Sequence, residues 1–256
     1  MKKEELEARL QLALDISRRA SEYLLKHESL RSEITTKATN DFVTSADKAC
    51  EKLIYESIQE RYPEDGFFGE ETGESGDKSR RWIIDPIDGT VDFMTDFPNY
   101  TVSIAFEDEE GLALGVIVIP RQKETFYAVR GGGAFLNGKP IHTDETSDFH
   151  KTLAILVPPH RHHEVMDTYM KRMVRFYDEF TDMRSIGSAA CSLCYVASGR
   201  CTAYYEMTLH LYDMAAGVVI VREAGGIVTY EETEQGWLDI AASSSAIHDK
   251  VLELIR

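Results

Sequence analysis

The residues whose types and spacing could do chemistry in this chain are carboxylates placed at the ends of predicted strands and the starts of predicted helices. Glu70 follows Phe67-Phe68-Gly69, Asp85 and Asp88 bracket Pro86-Ile87, and Asp47 and Asp213 each open a predicted helix. In the run Asp85 to Thr90, Pro86 ends a strand and forces a turn. Asp85 and Asp88 can then face one point, with the Ile87 carbonyl directed there as well. Gly89 permits close backbone approach, and Thr90 sets a hydroxyl beside the pair. Hard oxygen ligands at this spacing suit Mg²⁺ rather than zinc, which favours histidine or cysteine. Without cations such carboxylates would repel one another and raise each other's pKa, so the group calls for metal.

Two similar patterns are eliminated by counting. An EF-hand loop needs ligands at its first, third and fifth positions and glycine at its sixth. From Asp85, position three is Ile87 and the glycine falls at five. The haloacid-dehalogenase phosphatases carry D-x-D-G-T with the first aspartate as nucleophile; here Pro86 stands two before Asp88, so bound water is the expected attacker. The formal net charge of −16 argues against a nucleic-acid partner, since no basic stripe offsets it. An acidic protein that handles an anionic substrate needs local cations, and metal ions supply them.

The elements that must position these groups read as follows. Residues 4 to 28 carry Leu6, Leu10, Ala13, Ile16, Ala20 and Leu24 at three- and four-residue steps, predicting an amphipathic helix. A polar loop or irregular hairpin follows. Thr44 and Ser45 cap a second helix to about Arg61, with Ala49, Leu53 and Ile54 expected on its buried side. Strands are predicted at 67–68, 81–85 (stopping at Pro86), 100–106, 112–119, 124–129, 134–136 and 139–143, the last preceded by an Asn137-Gly138 turn. Beyond 145 helices and strands alternate: strand 153–157, helix 163–176, small-residue helix 188–197, strand 203–207, helix 212–223, strand 227–230 and a capped helix 243–255. A largely antiparallel sheet thus gives way to alternating elements. No apolar run reaches membrane-spanning length, and the charged N-terminus lacks a signal core, so a soluble, cytoplasmic protein without membrane contact is expected.

Other features read as structural. Cys191 and Cys194 form a C-x-x-C that alone could be a redox pair or half a zinc site, but the second half is missing and the surrounding residues suit a buried helix. Pro158 to His163 reads as a surface loop entering a helix rather than a metal cluster. Gly131 to Gly133 precedes a strand, not a helix, and reads as hairpin geometry. Glu71 is expected to support its loop, Asp92 is either surface or site, and Lys37 lies near an ion or is merely exposed.

Three motifs in order resemble the inositol-monophosphatase-like, lithium-sensitive phosphatases: Gly69-Glu70-Glu71, Trp82 to Thr90, and Asp213-Met214-Ala215-Ala216-Gly217 followed by Arg-Glu-Ala-Gly-Gly. Val43 to Asp47 resembles the segment before that family's second helix, so the resemblance spans nearly the whole chain. It implies an α/β fold, a layered α-β-α-β-α sandwich of the inositol-monophosphatase and fructose-1,6-bisphosphatase type. The first part, 1–145, would carry most metal ligands; the second, 146–256, would carry the last ligand and substrate contacts. By resemblance, Glu70, Asp85 and the Ile87 carbonyl hold one Mg²⁺; Asp85, Asp88 and Asp213 hold a second; a third, weaker ion sits near Glu70. Thr90, hydrogen-bonded to Asp47, orients the attacking water. The backbone at Gly89 and Thr90 receives phosphate oxygens, Gly187-Ser188-Ala189 lies on the substrate side, and Glu206 contacts a substrate hydroxyl. Tyr212 stands where the family often has tryptophan, and Asp92 where asparagine is commoner; both bear on the substrate more than on the chemistry.

The resemblance implies hydrolysis of inositol monophosphate or a related sugar or polyol phosphate, in a homodimer. Two alternatives stand beside it. One is action on fructose 1,6-bisphosphate, NADP or adenosine 3′,5′-bisphosphate. The other is a catalytically idle metal- or ligand-binding regulator, against which the intact Thr90, Asp47 and Glu70 argue.

Overall fold

In the computed structural model, residues 1–38 and 41–256 are described; the side chains of Glu28, Lys37, Ala38 and Asp41 lie outside the description, and with them the expectation for Lys37. The first helix, α1 (Lys3–Lys26), buries every apolar position that its spacing predicts. The polar stretch after it forms a small antiparallel hairpin of β1 (Ile34–Ala38) and β2 (Asp41–Thr44). Thr44 then caps α2 (Ser45–Arg61), its Oγ1 accepting from the Ala46 N–H at 3.2 Å. The buried face of α2 is turned from the expected one. Ile54 is buried, but Ala49 and Leu53 are only half-buried, and Cys50, Glu51 and Ile58 point inward.

The large sheet comprises β3 (Gly66–Gly69), β4 (Gly73–Ser75), β5 (Arg81–Asp88), β6 (Thr101–Asp108), β7 (Gly111–Ile119), β8 (Glu124–Val129), β9 (Ala134–Leu136) and β10 (Lys139–Ile141). Its order is β10-β9-β8-β7-β6-β5-β3-β4, antiparallel except where β3 runs parallel to β5. A second sheet of β11 (Leu153–Val157), β12 (Asp182–Arg184), β13 (Ala203–Leu209), β14 (Gly226–Glu232) and β15 (Leu238–Ser244) has the order β12-β11-β13-β15-β14. There β11 is parallel to both neighbours, while β15 is antiparallel to both of its own.

Helices and sheets alternate in five layers, the sandwich that the resemblance implies. α1 and α2 share a core with the outer face of the large sheet, through Ile16, Ile54, Trp82 and Phe106. After the short α3 (Thr90–Met94) come α4 (Met166–Glu179), α5 (Ala189–Ala197), α6 (Leu211–Glu223) and α7 (His248–Ile255). α5 and α6 fill the space between the sheets; one continuous core joins Ile83, Ala105 and Ile117 to Leu193, Val218 and Tyr204. α4 and α7 cover the far face of the second sheet around Phe176, Tyr205 and Val251. The approach of α6 to β7 depends on Gly115, where a Cβ would lie 2.3 Å from the Ala216 carbonyl oxygen.

Two further sequence expectations fail for identifiable reasons. The C-terminal helix does not begin at Ser243. Residues 238–244 are β15, held between β13 and β14, and cross-strand pairing there outweighs the weak local preference of Ala241-Ala242-Ser243-Ser244. Nor does the strand of Trp82 stop at Pro86. β5 continues to Asp88, with Asp85 opposite Ser103 and Asp88 opposite Thr101, so three steps on β5 match two on β6. That irregularity is a bulge, and a bulge is where a strand accommodates proline.

Candidate active site

The bulge decides the geometry of the site. In a regular strand, residues three apart point to opposite faces; one extra residue brings Asp85 and Asp88 to the same side. Asp213 reaches them from the first turn of α6, where its Oδ2 accepts from the His210 N–H at 2.5 Å. Asp85, Asp88 and Asp213 each offer an oxygen within 4.8 Å of the others. The Ile87 N–H donates to Asp85 Oδ1 at 3.0 Å and fixes the turn.

Burial pushes the Asp85 carboxyl well above the usual range, and the charges of Glu70, Asp88, Asp213 and Asp47 push it further. Asp88 is raised by burial, against the pull of the Ser188 hydroxyl and the Ala190 and Ala189 N–H groups. A set of buried oxygens that repel one another this strongly, with no histidine or cysteine in the group, fits a hard divalent cation.

The remaining expected residues surround this group. Glu70 is anchored by its N–H to the Ile84 carbonyl at 3.2 Å, and its charge acts on Asp85. Glu51 accepts from the Glu71 N–H at 3.0 Å, so Glu71 is tied into its loop through its backbone. Asp47 takes the Thr44 N–H at 2.8 Å and the Thr44 hydroxyl at 2.5 Å on Oδ2. Its Oδ1 faces Thr90 Oγ1 at a long 3.4 Å, while the same hydroxyl donates to the Ile87 carbonyl at 3.2 Å. Gly89 has φ of 85°, and a Cβ there would stand 3.2 Å from Ser188 Cβ. The left-handed turn and the close approach of Ser188 both require glycine.

Asp88, Thr90 and Asp213 open onto a cavity of about 470 Å³ that Val157 and Glu206 also line. Gly187 and Ala189 line it too. Ser188 does something the sequence did not foretell: its Oγ donates to Asp88 Oδ2 at 2.5 Å and accepts from the Cys191 N–H at 3.1 Å. The Ala190 N–H adds a second bond to Asp88 Oδ2 at 2.7 Å. The N-terminus of α5 therefore holds Asp88 across the sheet-to-helix boundary. Glu206 is buried beside the cavity, bonded to the Tyr204 hydroxyl, and raised well above the usual range by burial.

The loop from Pro158 to His162 does enter a helix, as expected, but it also forms a wall of the cavity. Sequence reasoning missed this because nothing local in the loop announces what packs beneath it; His162 lies against Trp237, at 3.9 Å between ring centroids. Asp92 also lines the cavity, half-buried, its carboxyl raised to about 7 chiefly by burial and then by Asp88. The four cysteines are buried free thiols, with Cys191 and Cys194 packed within α5. The Gly131 and Gly133 N–H groups donate to Glu223 at 2.8 Å each, which closes the hairpin.

Comparison with known proteins decides the family. A model described as the inositol monophosphatase family matches residues 5–256. The chain belongs to the inositol monophosphatase family. Among its relatives in that family, Haemophilus influenzae Nus factor SuhB is 38% identical over 254 residues, covering 96% of this chain and 95% of that protein. Escherichia coli Nus factor SuhB is 37% identical over 224 residues, covering 86% and 84%. The structure of extragenic suppressor protein suhB from Bartonella henselae superposes with a TM-score of 0.91 at 31% identity, over 97% of this chain and 98% of that one. The Thermotoga maritima IMPase superposes at 0.88 and 30%, over 97% and 96%. Inositol monophosphatase architecture thus extends through both sheets and every layer. Among the described residues no helix is long and apolar enough to cross a membrane.

Proposed function

We propose that the chain is a Mg²⁺-dependent phosphomonoesterase that hydrolyses inositol monophosphate or a related sugar or polyol phosphate. The observation that carries this is the convergence of Asp85, Asp88 and Asp213 beside a cavity that Glu206 also lines. Residues 1–145 supply most of the metal ligands, and residues 146–256 supply Asp213 and the substrate contacts. Glu70, Asp85, Asp88, Asp213 and the Ile87 carbonyl would hold two or three Mg²⁺ ions. When bound, these ions supply an activated water and positive charge for the phosphate oxygens and the departing alcohol oxygen.

The chain's own groups orient the reactants. The Thr90 hydroxyl and Asp47 position the attacking water, and Asp47 is the acceptor for its proton. The backbone at Gly89 and Thr90, at the start of α3, receives phosphate oxygens. Gly187, Ser188 and Ala189 shape the approach, with Ser188 keeping Asp88 in place. Glu206 accepts hydrogen bonds from substrate hydroxyls, which suits a polyol. The enzyme works as a homodimer.

A panel of inositol 1-phosphate, fructose 1,6-bisphosphate, NADP and adenosine 3′,5′-bisphosphate, assayed for phosphate release with and without Mg²⁺, tests the proposal. Mg²⁺-dependent turnover of inositol 1-phosphate is expected. Rapid nucleotide turnover with none of inositol phosphate would overturn the substrate assignment, and no turnover of any would overturn the enzyme reading.

A second reading rests on the name Nus factor carried by relatives at 37–38% identity, under which this chain would serve as a Nus factor. The Asp88→Asn variant separates the two, because it removes hydrolysis and would leave a role that needs only the protein surface.

A further inference from the structure

The walls of the cavity are unequal in charge. One edge carries Asp88, Asp92 and Asp213, and Glu206 adds a further carboxylate. Among the described residues that line the cavity, Arg161 is the sole lysine or arginine, flanked by His160 and His162. Arg161 comes from the loop after β11, not from the carboxylate turn. Its charge acts on Asp88, Glu206 and Tyr212, so it stands within electrostatic reach of both the metal-ligand edge and the polyol edge. The loop is not a free arm. Pro158 and Pro159 stiffen it, and His162 rests on Trp237 from the turn between β14 and β15.

A neutral polyol offers a guanidinium no second anion to pair with. Its hydroxyls are served by Glu206, and its one phosphate by the metal edge. A guanidinium is the group that matches a second phosphate or a carboxylate, through paired N–H donors. We propose that Arg161 is a specificity-determining residue that recognises a second anionic group on the substrate, so that the site favours a phosphorylated sugar or polyol bearing another phosphate or carboxylate. This rests on the phosphatase reading above and narrows its substrate class.

The test compares myo-inositol 1-phosphate with a myo-inositol bisphosphate, in the wild type, Arg161→Gln and Arg161→Lys, with Mg²⁺ and with folding checked by circular dichroism. Arg161→Gln should raise KM for the bisphosphate about tenfold or more, as loss of a charge-assisted bond does. Because Arg161 also acts on Asp88 and Glu206, kcat and the monophosphate KM should change as well but by clearly less than the bisphosphate KM, and Arg161→Lys should restore part of the loss. An equal loss on both substrates, or no loss on either, would overturn the assignment. Calorimetric binding of the same two compounds runs alongside. If neither is hydrolysed but the bisphosphate still binds more tightly through Arg161, the phosphatase reading fails and the recognition role stands. If binding also ignores Arg161, both fail.

Discussion

The two edges of the cavity are built differently. The metal edge is set by one bulged turn, where Asp85, Ile87, Asp88, Gly89 and Thr90 all fall within six consecutive residues and the chain geometry alone brings the two aspartates together. The substrate edge is assembled at long range. Ser188 is a hundred positions from the Asp88 it bonds, and Glu206 and Arg161 arrive from a different sheet and a different loop. The core of the metal edge is written locally, with Asp213 brought to it from α6. Recognition is placed on elements that can change without disturbing the turn.

Changing the local edge should have the largest effect. Asp88→Asn takes one oxygen ligand from the cluster and leaves Ser188 facing an amide. Mg²⁺-dependent phosphate release should fall by more than about a hundredfold, beyond the roughly 10–100-fold typical for an outer partner of a metal ligand. An unchanged rate in a steady-state assay would remove Asp88 from the site.

Ser188→Ala sharpens the comparison, because it touches the same carboxylate from the long-range side. The Ala190 N–H still bonds Asp88, so the ligand is loosened rather than lost. A loss of roughly 10–100-fold in Mg²⁺ affinity or rate is expected, with higher Mg²⁺ recovering part of it. A loss equal to that of Asp88→Asn and insensitive to Mg²⁺ would mean that Ser188 acts on substrate instead.

How legible each edge was in the sequence follows from the same contrast. Asp85, Asp88, Gly89 and Thr90 could be read from spacing, though the strand was expected to stop at Pro86 and the bulge was not foreseen. Asp47 and Asp213 could be placed at helix starts, but only the resemblance linked them to the turn. The clamp on Asp88 by Ser188 and Ala190 was hidden, since no local pattern says which strand a helix N-terminus will meet. The loop of Arg161 was read as surface for the same reason. Most element boundaries came through because apolar periodicity marks them, whereas β4, β12 and β15 did not. Gly73–Ser75 and Asp182–Arg184 carry no apolar alternation, and the small residues of β15 exist as a strand only because β13 and β14 pair with it.

The smallest expected effect concerns Asp92, on the cavity wall within reach of Asp88. Its carboxyl is raised from 3.8 to about 7 by burial and by Asp88. A raised acid pKa contributes stability that is complete below the unfolded value and is lost as pH rises through the folded value. Asp92→Asn removes that loss. In metal-free protein, the melting temperature of the variant relative to wild type should climb between about pH 4 and pH 8 and level off above. A difference that does not depend on pH would show that burial of the charge is not what distinguishes the two residues.

The central claim is that Asp85, Asp88 and Asp213 together bind a divalent cation. Anomalous diffraction from crystals soaked in Mn²⁺, a hard cation that takes the same oxygen ligands, tests it most directly. A manganese peak within coordination distance of carboxylate oxygens from all three aspartates is predicted. Manganese bound elsewhere on the protein, with no peak among those three side chains, would contradict it.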